Sequence, residues 1–278
     1  MEILTAIVAT LLAIVAPVGT VVDSLAVNAI RDQLAGAEQI QVRVDNVPNF
    51  QILRGRIDQA RVAGRGIYLR QLPDLRIAAI DLETDVVDID VGRLQRGELV
   101  LDEPAQAALR LRFQADDFNQ FLQSDQVDDW LQTLRFSLPG PVDDRELNRY
   151  GLANPSVVFL EGDRLRVMVD LQDRVANEDI ALVIDLGLAI VNGHRFQLVD
   201  PVLTADGEDI PPQLLTAVVD GISNQLTLKR LEALGLIARV LEFKVRDNEL
   251  DLVIFARIEP TSPLLAGQTA TQAVPSPP

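Results

Sequence analysis

IALVIDLGLAIVNGHRFQLV, Ile180–Val199, is the stretch on which the fold reading turns. Two apolar-rich arms flank Asn192-Gly193, a two-residue hairpin signal, because both of its positions tolerate positive φ. Working outward, Ser156–Leu160 and Arg164–Leu171 flank Glu161-Gly162-Asp163 in the same manner, and Val240–Val245 and Leu250–Ile258 flank Asp247-Asn248-Glu249. Upstream, Ile40-Gln-Val42-Arg-Val44-Asp45 alternates strictly, the mark of a strand with one buried face. Similar alternation recurs at Leu75-Arg-Ile77, Ile80-Asp-Leu82-Glu83, Asp88-Ile-Asp90-Val91 and Ala107–Phe113. Hairpins and meanders imply an antiparallel sheet, since each parallel step needs a crossover helix.

Few helices serve these strands. Asp23–Leu34 carries Leu25, Ala29, Ile30 and Leu34 and meets Gly36, a helix-stop residue. Asp116-Asp117 opens a short helix through Phe118, Phe121 and Leu122, with its acids at the positive end of the helix dipole. Pro211-Pro212 opens a third, in which Leu215, Val218, Val219, Ile222 and Leu226 form a stripe of helical period. Whether it extends to Leu234 is open, because Leu226-Thr-Leu228 also reads as extended. The pattern predicts an α+β fold, a curved antiparallel sheet wrapped around one or two long apolar helices. Residues 124–154, with Pro139, Gly140, Pro141, Asp143 and Asp144, read as an irregular connection between two lobes of a β-rich domain spanning 25–259. The tail, 260–278, is rich in Pro, Ser, Thr and Gly and reads as disordered.

Ile3–Val22 is twenty residues without a charge, and a helix of about 20 residues spans the roughly 30 Å of a bilayer's hydrocarbon core. Three readings compete. A signal peptide has a possible cleavage pattern at Val27-Asn28-Ala29, but Glu2 stands where a positive charge is expected. A buried core helix is the plainest alternative. An uncleaved anchor over residues 1–24 is the preferred expectation, with membrane association and a cell-envelope location. The flanking Glu2, Asp23, Arg31 and Asp32 leave the side of the membrane open.

The balance of 25 basic against 41 acidic residues gives a net charge of −16, which disfavours nucleic acid as a partner, since that affinity comes from basic groups displacing counterions. The absence of cysteine excludes disulfides and thiolate chemistry, and His194 as the only imidazole excludes a multi-histidine metal site within one chain. No nucleophile elbow, phosphate loop or zinc-peptidase helix is present, and Gly64-Arg-Gly66 lacks the third glycine of the dinucleotide fingerprint. No enzyme activity and no cofactor is expected.

Other clusters carry a plain reading beside a functional one. Arg54, Arg56, Arg61, Arg65, Arg70 and Arg76 face only Asp58 and Asp74 in their window, a local +4 on an acidic chain. Guanidinium forks bind phosphate oxygens in pairs. Arg54, Arg56, Arg61 and Arg65 are therefore the candidate headgroup or membrane-surface residues, and the competing reading is a solvated sheet face. Asp81, Glu83 and Asp85 with Asp88 and Asp90 suit an outward strand face without metal. Thr204–Asp209 suits a surface turn better than a calcium loop, His194 a hairpin tip, and Trp130 a packing position.

The run from Ala26–Leu34 through Ala37-Glu38, Ile40–Val44 and Gly55-Arg56-Ile57 resembles the start of the LmeA-like phospholipid-binding family. So do Ile67-Tyr-Leu69, Ile80-Asp-Leu82, Val87-Asp-Ile89, Leu94-Gln-Arg-Gly97 and Leu99, and the C-terminal order of apolar helix, Leu226-Thr-Leu228 and final hairpin. The resemblance covers most of residues 25–258 and implies a tubular lipid-binding type of fold with an acyl-lined groove. It further implies that Leu215, Val218, Val219 and Ile222 face an acyl chain. Phospholipid, or another acyl lipid, would be the partner. A sixteen-carbon chain contributes on the order of 13 kcal/mol gross on burial, at about 0.8 per methylene. The expected function is a membrane-associated phospholipid-binding or lipid-transfer protein; the alternative is a structural or scaffolding envelope protein with a filled core.

Overall fold

The computed structural model describes residues 34–47, 51, 54–70, 72–94, 96, 98, 100–133, 150–176, 178–210 and 227–266. The anchor, nearly all of the 23–34 helix, the stripe Leu215–Ile222 and most of the tail lie outside the described residues.

Among the described residues thirteen strands form, β1 (Leu34–Asp45), β2 (Arg56–Ile57), β3 (Gln59–Leu69), β4 (Leu72–Thr84), β5 (Val87–Asp88), β6 (Ala105–Gln114), β7 (Tyr150–Leu160), β8 (Arg164–Asp173), β9 (Glu178–Val191), β10 (Arg195–Ala205), β11 (Glu208–Asp209), β12 (Leu236–Arg246) and β13 (Glu249–Ile258). A six-stranded sheet has the order β1-β3-β4-β6-β13-β12, a five-stranded sheet the order β11-β10-β9-β8-β7, and β2 pairs with β5. The pairings are antiparallel, as the hairpin signals require. The expected single curved sheet is, among the described residues, two large sheets and a two-stranded ribbon, and the longest described α-helix, Asp125–Thr133, has 9 residues. Long apolar helices are not seen among the described residues.

Register explains the core. Val42, Val62, Leu82, Leu109, Ile254 and Val240 lie opposite one another across all six strands. One residue along, the corresponding row reads Arg43, Arg61, Glu83, Ala108, Phe255 and Arg239. Period-two alternation thus gives one aliphatic face and one largely charged face. The aliphatic face is closely filled: Ile67, Leu69, Leu72, Ile77, Leu111 and Leu236 are all buried.

The Ala115–Leu122 helix is pinned between the two sheets. Phe118 meets Phe113, Phe121 and Phe159 at ring-centroid distances of 6.2, 6.4 and 6.2 Å. Asn119 donates to the Val157 carbonyl at 2.8 Å and accepts from the Val157 N–H at 2.7 Å, continuing the ladder along the outer edge of β7. Pro155 is tolerated in that strand because it sits at the edge, within a bulge between Ala153 and Ser156. From the other side, Arg76 joins Glu38 at 3.0 Å to Asp117 of the helix at 2.8 Å. Hydrogen bonding to Arg76 holds the Glu38 carboxyl below its usual range. Glu38 lies directly over Gly66, whose φ of 56° and missing Cβ leave it room. The Gly64-Arg-Gly66 pattern therefore has a packing cause.

The two sheets meet at β12. The β9–β10 tip reaches it through Val240 N–H to Gly193 O at 2.6 Å, and Leu228 N–H donates to His194 O at 2.7 Å just before the strand. The β7–β8 tip reaches it through Val245 N–H to Asp163 Oδ1 at 2.7 Å.

Several local expectations change. Leu34 opens β1 instead of closing a helix, because its side chain is held in the core at 5% exposure. Residues 125–133 form a helix within the stretch read as irregular; Val127 and Leu131, four apart, supply its buried side, and polar neighbours dilute that signal. Leu228–Leu234 is a 3-10 helix, capped by Thr227 and stopped by Gly235 at φ 70°.

Asp251 tests the charged face. Its side chain is 3% exposed, yet Arg110 and Arg112 lie at 3.2 Å and Arg246 at 3.5 Å. Burial alone would raise its carboxyl, but hydrogen bonds from Arg110 and Arg112 outweigh it and hold the pKa below the ordinary value. That contribution is present above the unfolded pKa and lost as pH falls through the folded one. Asp251→Asn should cost about 1–3 kcal/mol at neutral pH, and the difference from wild type should shrink in the acid range below about pH 4. Urea melts at several pH values check both; a pH-independent difference would mean the ion pairs contribute nothing.

Candidate functional site

Opposed residues in the five-stranded sheet build an aliphatic face. Leu165, Val167, Val169 and Leu171 of β8 lie against Leu186, Ile184, Leu182 and Ile180 of β9. Leu188 and Ile190 lie against Leu198 and Phe196 of β10, and Leu203 lies against Ile184. On β7, Phe159, Val157 and Leu152 complete the rows opposite Leu165, Val167 and Leu171. β9 supplies six of these positions, and Ala181, Val183, Ala189 and Val191 between them make it read as a nearly continuous apolar run.

On the opposite face Arg166 grips Asp185 with two bonds of 2.7 and 2.8 Å. Hydrogen bonding to Arg166 holds the Asp185 carboxyl below its usual range.

The aliphatic face is covered unevenly. Near the hairpin tips, Val157 and Phe159 pack with Ala115, Phe118, Leu122 and Val245. Phe196 meets Phe243 edge-on at 6.0 Å, tying this end to the main core. Val169, Leu186, Leu198 and Leu203 are buried, at 9, 7, 9 and 8% exposure, but none belongs to either close-packed cluster of the described residues. Leu171, Ile180, Leu182 and Ile184 are half-buried. The face is thus apolar and long; its tip end, with Ile190 and Phe196, joins the main core, and its middle lies outside both clusters of the described residues. Such a surface can hold an aliphatic ligand without hydrogen-bonding demands.

The arginine cluster lies elsewhere. Arg61 and Arg65 are on the outer face of the six-stranded sheet; Arg61 meets Glu83 at 3.3 Å and Asp45 at 3.4 Å, and Arg65 meets Asp81 at 3.1 Å. Arg56 is at the two-stranded ribbon, 3.4 Å from Asp88 and 3.8 Å from Asp58. Arg54 precedes that ribbon and is not part of the same row. An anion binding at Arg56, Arg61 or Arg65 must compete with carboxylates already in place. A shallow hollow of about 300 Å³ on this outer face is lined by Arg61, Ala63, Asp81, Glu83, Ala108 and Arg110. Val62, Leu82, Leu109 and Val253 also line it, between the charged groups of the rim.

The remaining sequence candidates find ordinary places. Asp90 Oδ1 accepts from Arg93 N–H at 2.9 Å, and Asp206 Oδ1 accepts from Ala181 N–H at 2.9 Å. Trp130 is 44% exposed on the Asp125–Thr133 helix. No group of three or more potential metal ligands occurs among the described residues. His194 is the exception: its hairpin tip is docked, with Nδ1 3.4 Å from Thr227 Oγ1.

The model of the LmeA-like phospholipid-binding family matches residues 16–255. The chain belongs to this family. Neither a curated protein nor a solved structure matches it. A phospholipid-binding family is consistent with antiparallel sheets presenting an aliphatic face.

Sequence reasoning named the 211–226 stripe and missed the β8–β10 face. The available signal was the coincidence of an alternating β8 with the nearly unbroken apolar β9. A close-packed site and a ligand-facing one should respond differently to truncation. Leu111→Ala, in the filled core, should cost about 2–5 kcal/mol. Ile184→Ala, on the aliphatic face, should cost clearly less in delipidated protein. Equal losses by chemical denaturation would place Ile184 in an ordinary core.

Proposed function

We propose that this member of the LmeA-like family holds phospholipid acyl chains against the aliphatic face of its five-stranded sheet, without making or breaking bonds. The observation that carries this reading is that the middle of the apolar β8–β10 face, with Val169, Leu182, Ile184, Leu186, Leu198 and Leu203, lies outside the close-packed clusters of the described residues.

The chain path adds support. It leaves the far end of β10 at Ile210, whose N–H donates to Leu203 O at 3.0 Å, and returns at Thr227, bridged to Arg195 at the start of β10. The intervening residues 211–226 thus connect opposite ends of one strand. As a helix they would be about 24 Å long, comparable with the roughly 27 Å from Arg195 to Leu203 in extended chain. In this reading Leu215, Val218, Val219 and Ile222 form the second wall, and acyl chains lie between helix and sheet. Headgroup contact at Arg54, Arg56, Arg61 and Arg65 would require exchange of their carboxylate partners. Transfer between membranes of the cell envelope follows if the N-terminal apolar run tethers the body to a bilayer. Among the described residues no helix is long and apolar enough to cross a membrane.

Native mass spectrometry of gently purified full-length protein tests the capture. Wild type should carry phospholipid, and Leu182→Asn or Ile222→Ala should reduce its amount or change its chain length. Val218→Ala and Ile222→Ala should cost little stability once lipid is removed. A lipid-free wild type, with large stability losses in both alanine variants, would favour the filled-core scaffold.

The tether is tested separately. Deleting residues 1–24 should move a folded body from the membrane to the soluble fraction. Full-length protein that is already soluble after gentle lysis, or whose mature N-terminus is Ile30, would remove the anchor from the scheme.

A further inference from the structure

The two edges of the six-stranded sheet are treated differently. β12 is met by the β9–β10 and β7–β8 tips, at Val240 and Val245. In the other sheet, the outer edge of β7 is met by Asn119 at Val157 and by Gln123 at Pro155. β1 is a strand of 12 residues that pairs with β3, and among the described residues no strand pairs with its outer side. The aliphatic row that crosses the sheet shows the consequence. Val62, Leu82, Leu109, Ile254 and Val240 are all buried, whereas Val42 at the β1 end is half-buried, as are Ile40 and Val44 beside it. Val240 also stands on an edge strand, so edge position alone does not leave such a side chain open.

Natural sheets blunt a long edge with proline, lysine, a bulge or a charge turned inward. From Gly36 to Asp45 there is no proline and no lysine, and the bulge lies at the very start, between Leu34 and Gly36. Glu38, near that end, is engaged by Arg76. The rest of the strand matches itself. Two copies related by a two-fold axis normal to the sheet keep their aliphatic faces on one side, and opposed residues then share a face. Centred on Val42, the pairing sets Val42 against the partner's Val42 and Ile40 against the partner's Val44 on the aliphatic face. On the outer face it sets Gln41 against the partner's Arg43 and Gln39 against the partner's Asp45. Centred on Gln41 instead, Glu38 opposes the partner's Val44; centred on Arg43, two guanidinium groups oppose each other.

We propose that the outer edge of β1 docks a second copy of this chain, the two strands pairing antiparallel about Val42 so that the six-stranded sheet continues from one subunit into the next. Such an interface is isologous, the same patch serving both subunits. It satisfies the outward backbone groups of β1 and extends the aliphatic row past Val42. Arg43 and Asp45, already joined at 2.9 Å on the outer face, meet only glutamine amides across the axis. The pairing uses the six-stranded sheet and does not rest on lipid capture by the other one.

Sedimentation velocity of the full-length protein in detergent reads the association, and wild type should be a dimer. Gln39 and Gln41 are exposed on one face of the strand, yet the same change at each should act oppositely. Gln39→Glu, opposite the partner's Asp45, should weaken dimerisation by about two- to thirtyfold, while Gln41→Glu, opposite the partner's Arg43, should not weaken it. Gln39→Lys and Gln41→Lys should reverse that order. Thermal melts confirm folding of all four variants. The chain has no cysteine, which allows a second readout with a short thiol-to-thiol cross-linker. Val42→Cys, at the axis, should cross-link its two copies, whereas Gln39→Cys, about 20 Å from its copy along extended chain, should not. A monomeric wild type overturns the proposal, whether another segment of the chain or a different protein then covers the edge. A dimer indifferent to the sign of charge at residues 39 and 41, or cross-linking as readily at 39 as at 42, overturns it too and assigns the association to the N-terminal apolar run or another face.

Discussion

The edge of β12 is the constraint on which the arrangement depends. It ends the six-stranded sheet, and an uncovered edge would present unpaired N–H and carbonyl groups. Two hairpin tips cover it, through Gly193 O to Val240 N–H and Asp163 Oδ1 to Val245 N–H. Both tips need left-handed backbone, with φ of 54° and 69° at Asn192 and Gly193, and 75° and 59° at Gly162 and Asp163. Gly193 has a second reason to be glycine, because an added Cβ would stand 3.3 Å from Arg239 Cδ. The turn chemistry that makes the hairpins also shapes the surfaces that dock.

From this junction follows a division of labour between the sheets. The six-stranded sheet spends its aliphatic face on a filled core, sealed by Phe113, Phe121 and the Leu228–Leu234 turn. The five-stranded sheet, held by its tips, presents a second aliphatic face whose close-packed cover among the described residues lies where Phe118, Phe159 and Val245 meet and where Ile190 and Phe196 reach the main core. A filled interior resists volume change, whereas a face without close-packed partners can accept an aliphatic guest.

Much of the local structure was legible in the residues. The three hairpins at Gly162, Asn192-Gly193 and Asp247-Asn248 follow from turn chemistry, and the helix at Ala115–Leu122 follows from Asp116-Asp117 and its phenylalanines. The Asp125–Thr133 helix escaped notice because Val127 and Leu131 are its only deeply buried apolar anchors. Leu34 was misread because helical spacing and strand alternation share its position, and burial against the sheet decided between them. The arginine run between Arg54 and Arg76 looked like a positive patch because its partners, Glu38, Asp81, Glu83, Asp88 and Asp117, are contributed by other strands or by the helix.

By itself the sequence determined the antiparallel, β-rich class, the hairpin positions, the family and the acidic character, because all of these rest on local periodicity, turn residues or order along the chain. Only the tertiary structure decided how the strands divide between sheets, which face of the six-stranded sheet is filled and which arginines are neutralised. Those outcomes depend on contacts between residues such as His194 and Leu228, or Asp163 and Val245. Their meeting is set by long-range strand pairing and edge docking, which no short window of sequence encodes.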